Sequence, residues 1–293
     1  MGNKNIINKK ILDFNHIMDY TYMVECLNEL CSRYANINVT SIGTSILGKS
    51  IPMICMGQGS RKTIYVGAIH GTDSLCSSLL LRFINEYCEI RVNRRKLFNL
   101  NTIPTDESRA ICIIPMLNPD GVDYAINGID QNNPFYDRLM KINGGNNDFS
   151  TWTFNARGAD IDENFSYSSH HETLSIPESE PECSALSGII KFNKNNIKLI
   201  VQLQCGEEKL IYMPPQCPTG YQKLAGVLGR VYRAPSCTRL SDLHTGSLLN
   251  FASQSQGIPA YTLICQKQRA NQTDIFQTYA EIRETLFIAP TFI

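Results

Sequence analysis

His70 and Asp73 are the first residues in the chain whose types and spacing could do chemistry. An imidazole nitrogen and a carboxylate oxygen are both donors that zinc accepts. A strand-end histidine hydrogen-bonded to nearby backbone is the plain alternative for His70. Further along, Arg157 carries a fixed positive charge, Asp162 and Glu163 are adjacent carboxylates, and Cys205 is a thiol just before Gly206. His170 and His171 sit in the polar stretch SYSSHHET and read as a solvent-exposed loop, and His244 is isolated.

The elements that must position these residues follow from the pattern of apolar side chains. Between Tyr20 and Tyr34, apolar residues recur at helical spacing. Two short strand-like runs follow, Ile37–Ile42 and Ile51–Met56, with Gly48 between them. Thr63–Ile69, Ala110–Met116, Ile197–Gln204 and Ala260–Cys265 are continuous apolar runs of the kind that fill a strand covered on both faces. Helical stretches are expected at Asp73–Cys88, Pro134–Lys141, Pro181–Phe192, Gly220–Tyr232 and Asp274–Phe287. Strands alternating with helices predict an α/β fold, a mixed and largely parallel central sheet with helices on both faces. Sites in such sheets form beyond the carboxyl ends of strands. His70, Asn118 and Gly206 all fall there.

Composition excludes several classes of function. With 43% hydrophobic and 18% charged residues in 293, the chain can bury a full core. Lys+Arg and Asp+Glu both number 27, so no net field recruits nucleic acid or an anionic membrane. No apolar run approaches the ~18 residues that would span a bilayer. The polar first twenty residues lack a signal-peptide core, and Ile6 stands where a myristoylation motif wants Ser or Thr. The 11 cysteines are odd in number, with no Cys-x-x-Cys pair. They predict buried, reduced thiols and a cytoplasmic location rather than a disulfide framework. Nothing divides the chain, so one domain over residues 1–293 is expected, with 1–18 as an N-terminal extension.

Four segments, in order, resemble the zinc carboxypeptidase family (carboxypeptidase A-like). They are YVGAIHGTD (Tyr65 to Asp73), PMLNPDGVDYAINGI (Pro115 to Ile129), DFSTWTFNARGADIDENF (Asp148 to Phe165) and GEEKLIYM (Gly206 to Met213). The closing GIPAYT, Gly257 to Thr262, also fits. Within the family the chain looks most like the bacterial γ-D-glutamyl-meso-diaminopimelate peptidases, which cut peptidoglycan stem peptides. The resemblance implies an α/β/α fold, a peptide or peptidoglycan-derived peptide as partner, and a zinc cofactor bound by His70, Asp73 and a third side chain. It gives Arg157 the role of polarising the scissile carbonyl, and places the clamp for the substrate's terminal carboxylate at Asp162 and Glu163, with Asn155 also on the substrate side.

Several of those positions depart from the family. Asp73 stands where the family has Glu. Aligned on Gly206-Glu207-Glu208, the third-ligand position falls on Leu203, and a shift by one gives Gln202 or Gln204, both poor ligands. Cys205 is either a substitute thiolate ligand, facing the same side as Leu203 on a continuing strand, or simply a small buried residue. The family's catalytic Glu corresponds to Ile264, which cannot take a proton. Asp162 and Glu163 invert the clamp's charge. They would attract an amine, or else form a solvated acidic loop. The substitutions predict impaired or lost hydrolysis and weak zinc binding. The alternatives are a non-catalytic peptide- or partner-binding pseudoenzyme, and an active peptidase using His70, Asp73 and Cys205.

Overall fold

The four fully apolar runs become neighbours at the centre of one eight-stranded sheet. In the computed structural model, residues 12–93, 108–165, 176–214, 219–234, 236–239, 246–266 and 275–292 are described. The strands are β1 (Ile37–Thr44), β2 (Ser50–Met56), β3 (Arg61–Val66), β4 (Arg109–Ile114), β5 (Ile197–Gly206), β6 (Leu210–Met213), β7 (Ser236–Arg239) and β8 (Ala260–Gln266). Their order across the sheet is β1-β2-β4-β3-β5-β8-β6-β7. β4, β3, β5 and β8 run parallel, while β2 and β6 flank them antiparallel.

Helices cover both faces, which is why the central strands tolerate apolar residues on each side. The first is α1 (Tyr20–Arg33), capped by the Asp19 carboxylate, which accepts from the Tyr22 N–H at 2.8 Å. Next are α2 (Ser74–Val92), α3 (Pro119–Asn127), α4 (Tyr136–Ile142) and α5 (Pro181–Asn193). α6 (Thr219–Tyr232), the single turn α7 (Leu248–Asn250) and α8 (Ile275–Ile288) complete the set. α1, α2, α6 and α8 share one core cluster with alternate strand residues such as Tyr65, Val201 and Leu203. α5 and α7 share a second with Ile64, Val66 and Ile200. Within the first, Phe83 meets the rings of Tyr65 and Phe287 edge-on at 5.6 and 4.8 Å. Burying one such ring contributes ~1.5–3 kcal/mol. Phe14 and Met18, from the stretch read as an extension, are buried in this cluster too.

The largest differences from the sequence reading concern turns and cysteines. Asn118-Pro119-Asp120-Gly121 reads as a turn but starts α3. The Asn118 side chain accepts from the Gly121 N–H at 2.9 Å, and Pro119, which has no N–H to satisfy, takes the first helical position. The short strands β6 and β7 carry too few residues for a periodic signal. Cys55 and Cys112, expected as reduced thiols, are joined by a disulfide. They sit directly opposite each other in the antiparallel β2–β4 register with Cα atoms 4.2 Å apart, a pairing visible only once the sheet order is known. The cysteines 26, 31, 76, 88, 183, 205 and 265 are outside any disulfide.

Candidate active site

The site begins where β3 ends. After Val66 the chain turns through Ala68, whose φ of 46° is in the left-handed region. The turn is held by Asn118, whose N–H donates to the Ala68 carbonyl (2.9 Å) and whose side-chain amide donates to Ile69 O (3.0 Å) and Phe154 O (3.1 Å). One residue therefore knits three loops. Gly71 is required at the next step. A Cβ there would lie 2.4 Å from Trp152 O and 2.5 Å from Gly121 O, backbone atoms that cannot step aside. The short 3-10 turn Gly71–Asp73 follows and leads into α2.

His70 and Asp73 lie side by side, bound to each other and to the protein's own groups. The His70 Nδ1 lies 3.2 Å from Asp73 Oδ2 and 2.9 Å from the Gln204 amide nitrogen. Its Nε2 is 3.6 Å from Asp160 Oδ1. The other Asp73 oxygen accepts the Cys205 backbone N–H at 3.1 Å. Burial works against the charged imidazole, but hydrogen bonds to Asp160 and Asp73, with the Asp162 charge, raise its pKa to about 11.

The neighbour of His70 on β5 is Gln204, one of the alternatives to Leu203 that the sequence offers. Side chains on a strand alternate in facing. Leu203 is fully buried in the core cluster with α1, α2 and α8, away from the pocket, so it does not meet His70. Cys205 shares that side: it packs on the same cluster, with its sulfur 3.6 Å from Cys76 Sγ, although it also reaches the pocket wall. Ile264 does line the pocket, paired with Gln204 across the parallel β5–β8 register.

Arg157 and Asn155 are placed differently from expectation. The Arg157 guanidinium is not in the pocket wall; it binds Glu180 through Nη2 at 3.0 Å and Nε at 3.2 Å. Asn155 has no exposed surface to offer a substrate. Its oxygen accepts from the Arg157 and Ala159 N–H groups, both at 3.0 Å, and its amide donates to Glu180 at 2.6 Å and Glu182 at 3.4 Å. Both residues shape the loop that delivers Asp160, Asp162 and Glu163, all three of which line the pocket. Asp162 is itself engaged: Leu248 N–H donates to it at 2.9 Å and the Gln202 amide at 3.2 Å. Burial raises its pKa to about 6, against the lowering pull of His70.

The resulting cavity is about 490 Å³. Its wall carries five carboxylates, from Asp160, Asp162, Glu163, Glu207 and Glu208, together with Ile264, Leu249 and Leu210. Asp160, Glu207 and Glu208 were not picked out from the sequence as pocket residues, whereas Gln204 was one of the two alternatives to Leu203. His170, His171 and His244 lie outside the described residues. Among the described residues, no group of three or more His, Cys, Asp or Glu side chains is arranged to hold a metal ion.

Comparison with known proteins agrees with this architecture. Residues 23–283 match the zinc carboxypeptidase family model. The chain is 30% identical over 147 residues to gamma-D-glutamyl-L-diamino acid endopeptidase 1 of Lysinibacillus sphaericus, a match covering 50% of this chain and 37% of that protein. It spans well under two thirds of that relative's length. Carboxypeptidase A from Helicoverpa armigera superposes with a TM-score of 0.73 at 18% identity, over 99% of this chain and 76% of the other. Bovine thrombin-activatable fibrinolysis inhibitor superposes with 0.71 at 15% identity, over 95% and 97%. These structural likenesses establish the carboxypeptidase-like α/β fold. With the family model matching most of its length, and His70 and Asp73 meeting beyond the end of β3, the chain belongs to the zinc carboxypeptidase family.

Proposed function

We propose that this chain binds a peptide bearing an amine in its pocket and does not hydrolyse it. The observation that carries the reading is the pocket wall itself, which five carboxylates line along with an apolar Ile264. Clustered carboxylates favour a cationic group over a free terminal carboxylate. The Lysinibacillus relative's name refers to a diamino acid, whose second amine would suit such a wall. A peptidoglycan-derived peptide is thus the ligand class we favour.

The family's zinc does not fit the donors present. His70 and Asp73 are two donors of the usual kind, but the third side chain at their side is the neutral carboxamide of Gln204. Three strong ligands and an open water position are the requirement of a catalytic zinc. Cys205 is a poor substitute, because its sulfur turns toward Cys76. Ile264 cannot accept a proton, a contribution of ~10²–10⁴-fold in enzymes that use a general base. Arg157, paired with Glu180, does not face a carbonyl in the pocket.

No helix among the described residues is long and apolar enough to cross a membrane. The reduced thiols support a cytoplasmic location, while the Cys55–Cys112 bridge counts against it; cell fractionation decides between them.

The test is calorimetric titration with two peptides that differ only in a terminal lysine or its acetylated form, alongside a turnover assay with added zinc. We expect binding of the amine form, loss on acetylation, and no cleavage. Zinc-dependent, chelator-sensitive cleavage by the unaltered protein would overturn the reading.

A further inference from the structure

Three cysteines from distant parts of the chain meet behind the pocket wall. Cys205 is near the end of β5, Cys76 is in the first turn of α2, and Cys265 is opposite Cys205 in the β5–β8 register. Cys205 alone of the three has partial exposure and lines the cavity, while Cys76 and Cys265 are fully buried. The Cys76 and Cys205 sulfurs are 3.6 Å apart. A disulfide needs about 2.05 Å between sulfurs, so oxidation must bring the pair about 1.5 Å closer.

We propose that Cys205 and Cys76 are an oxidisable pair, with Cys205 the site of attack by a hydroperoxide entering the pocket and Cys76 the resolving thiol. The Cys205 thiolate attacks one peroxide oxygen. An S–O bond forms, the O–O bond breaks, and the departing oxygen takes a proton to leave as water or an alcohol. The Cys76 sulfur then attacks the Cys205 sulfenic sulfur. An S–S bond forms, the S–O bond breaks, and the hydroxyl leaves as water with the Cys76 proton. Two thiols lose two electrons in total, and one peroxide gains them.

Burial decides the order of events. Cys76 has no exposed surface, whereas Cys205 is partly exposed at the cavity. Cys76 is therefore out of reach of solutes and meets only what Cys205 becomes. The bridge would join the start of α2 to the end of β5 on either side of Asp73, which already accepts the Cys205 N–H. Oxidation would thus fix the loop that carries His70. The proposal does not depend on which peptide the pocket takes.

The experiment treats the reduced full-length protein with equimolar hydrogen peroxide, blocks remaining thiols with an alkylating reagent, and maps cross-linked peptides by mass spectrometry. The expected product joins the Cys76 and Cys205 peptides. In Cys76→Ala, Cys205 should accumulate as a sulfenic acid that dimedone captures; in Cys205→Ser, Cys76 should remain a thiol. The wild-type map stands by itself if either variant folds poorly. A bridge from Cys265 to either partner overturns the assignment. So does an unmodified Cys205 when the exposed Cys31 has been oxidised.

Discussion

Glu182 gives the most direct test of the electrostatics that shape the pocket loop. It lies in α5 with no exposed surface, where it accepts from the Ile46 N–H at 3.3 Å and the Asn155 amide at 3.4 Å. Burial, with the Asp120 charge nearby, raises its pKa from an ordinary 4.5 to about 7. A carboxyl whose folded pKa lies above its unfolded value is bound to its proton more tightly in the folded state. It therefore costs nothing below about pH 4.5, and destabilises the fold increasingly as pH rises to about 7. The full difference is roughly 3 kcal/mol, at ~1.4 kcal/mol per pH unit. Glu182→Gln keeps the shape and cannot ionise, but sets an amide against the Asn155 amide, a loss of about 1 kcal/mol. At pH 8.5 the variant should be more stable than the wild type by roughly 2 kcal/mol, and at pH 5 slightly less stable. Urea unfolding of both proteins across that range reads the difference. Comparing the pair is necessary because two other groups tilt the wild-type profile the same way. Asp162 is raised to about 6, and His70, raised to about 11, contributes stability that is lost as pH climbs above its ordinary 6.5. Parallel profiles for wild type and variant would refute the account of Glu182.

Other expectations follow from the site. Gly71→Ala should destabilise by ~3 kcal/mol or more, measured as a fall in Tm, because its new Cβ meets two backbone oxygens within 2.5 Å. Asp73→Asn removes one of the hydrogen-bonded charges that raise His70, so the imidazole should titrate at lower pH by NMR; an unchanged titration would remove Asp73 from that role. Gln204→His with Asp73→Glu and Ile264→Glu should gain measurable zinc retention and weak peptide cleavage, whereas Leu203→His should only unfold the protein, since position 203 is fully buried in the core. Zinc retention by the Leu203→His set and not by the Gln204→His set would reverse the assignment of the strand's faces. Asn155→Ala should cost ~1–3 kcal/mol in chemical denaturation, because it removes the amide shared by two buried carboxylates and leaves Glu180 to Arg157 and Glu182 to the Ile46 N–H.

The α/β architecture was legible because the central strands are apolar along their length and His70 follows one of them directly. The pocket was only partly legible, for reasons of register. Residues 202 to 205 alternate Gln, Leu, Gln, Cys, and a sequence does not say which pair faces in. In the folded chain Gln204 lies beside His70 and lines the cavity with Ile264, while Leu203 is buried in the core. Arg157 and Asn155 sit in a recognisable motif, but Glu180 and Glu182, more than twenty residues later, capture them. That partnership depends on how α5 packs beside the loop. The Cys55–Cys112 bridge was invisible for a similar reason: the two residues are 57 apart in sequence and become neighbours only through the β2–β4 pairing.

The position of β8 bears on how the chain folds as it is synthesised. β8 lies between β5 and β6, pairing with both, although it is made after β5, β6 and β7. Until residues 260–266 have left the ribosome, β5 keeps an open edge with apolar side chains on both faces, and β6 has no partner on its inner side. Such an edge is a template for pairing with another chain. A nascent or truncated protein lacking β8 should therefore associate with chaperones or aggregate, even though everything that forms the His70 turn has already been made. Emergence of β8, rather than appearance of the first half of the sheet, sets the moment at which the pocket closes.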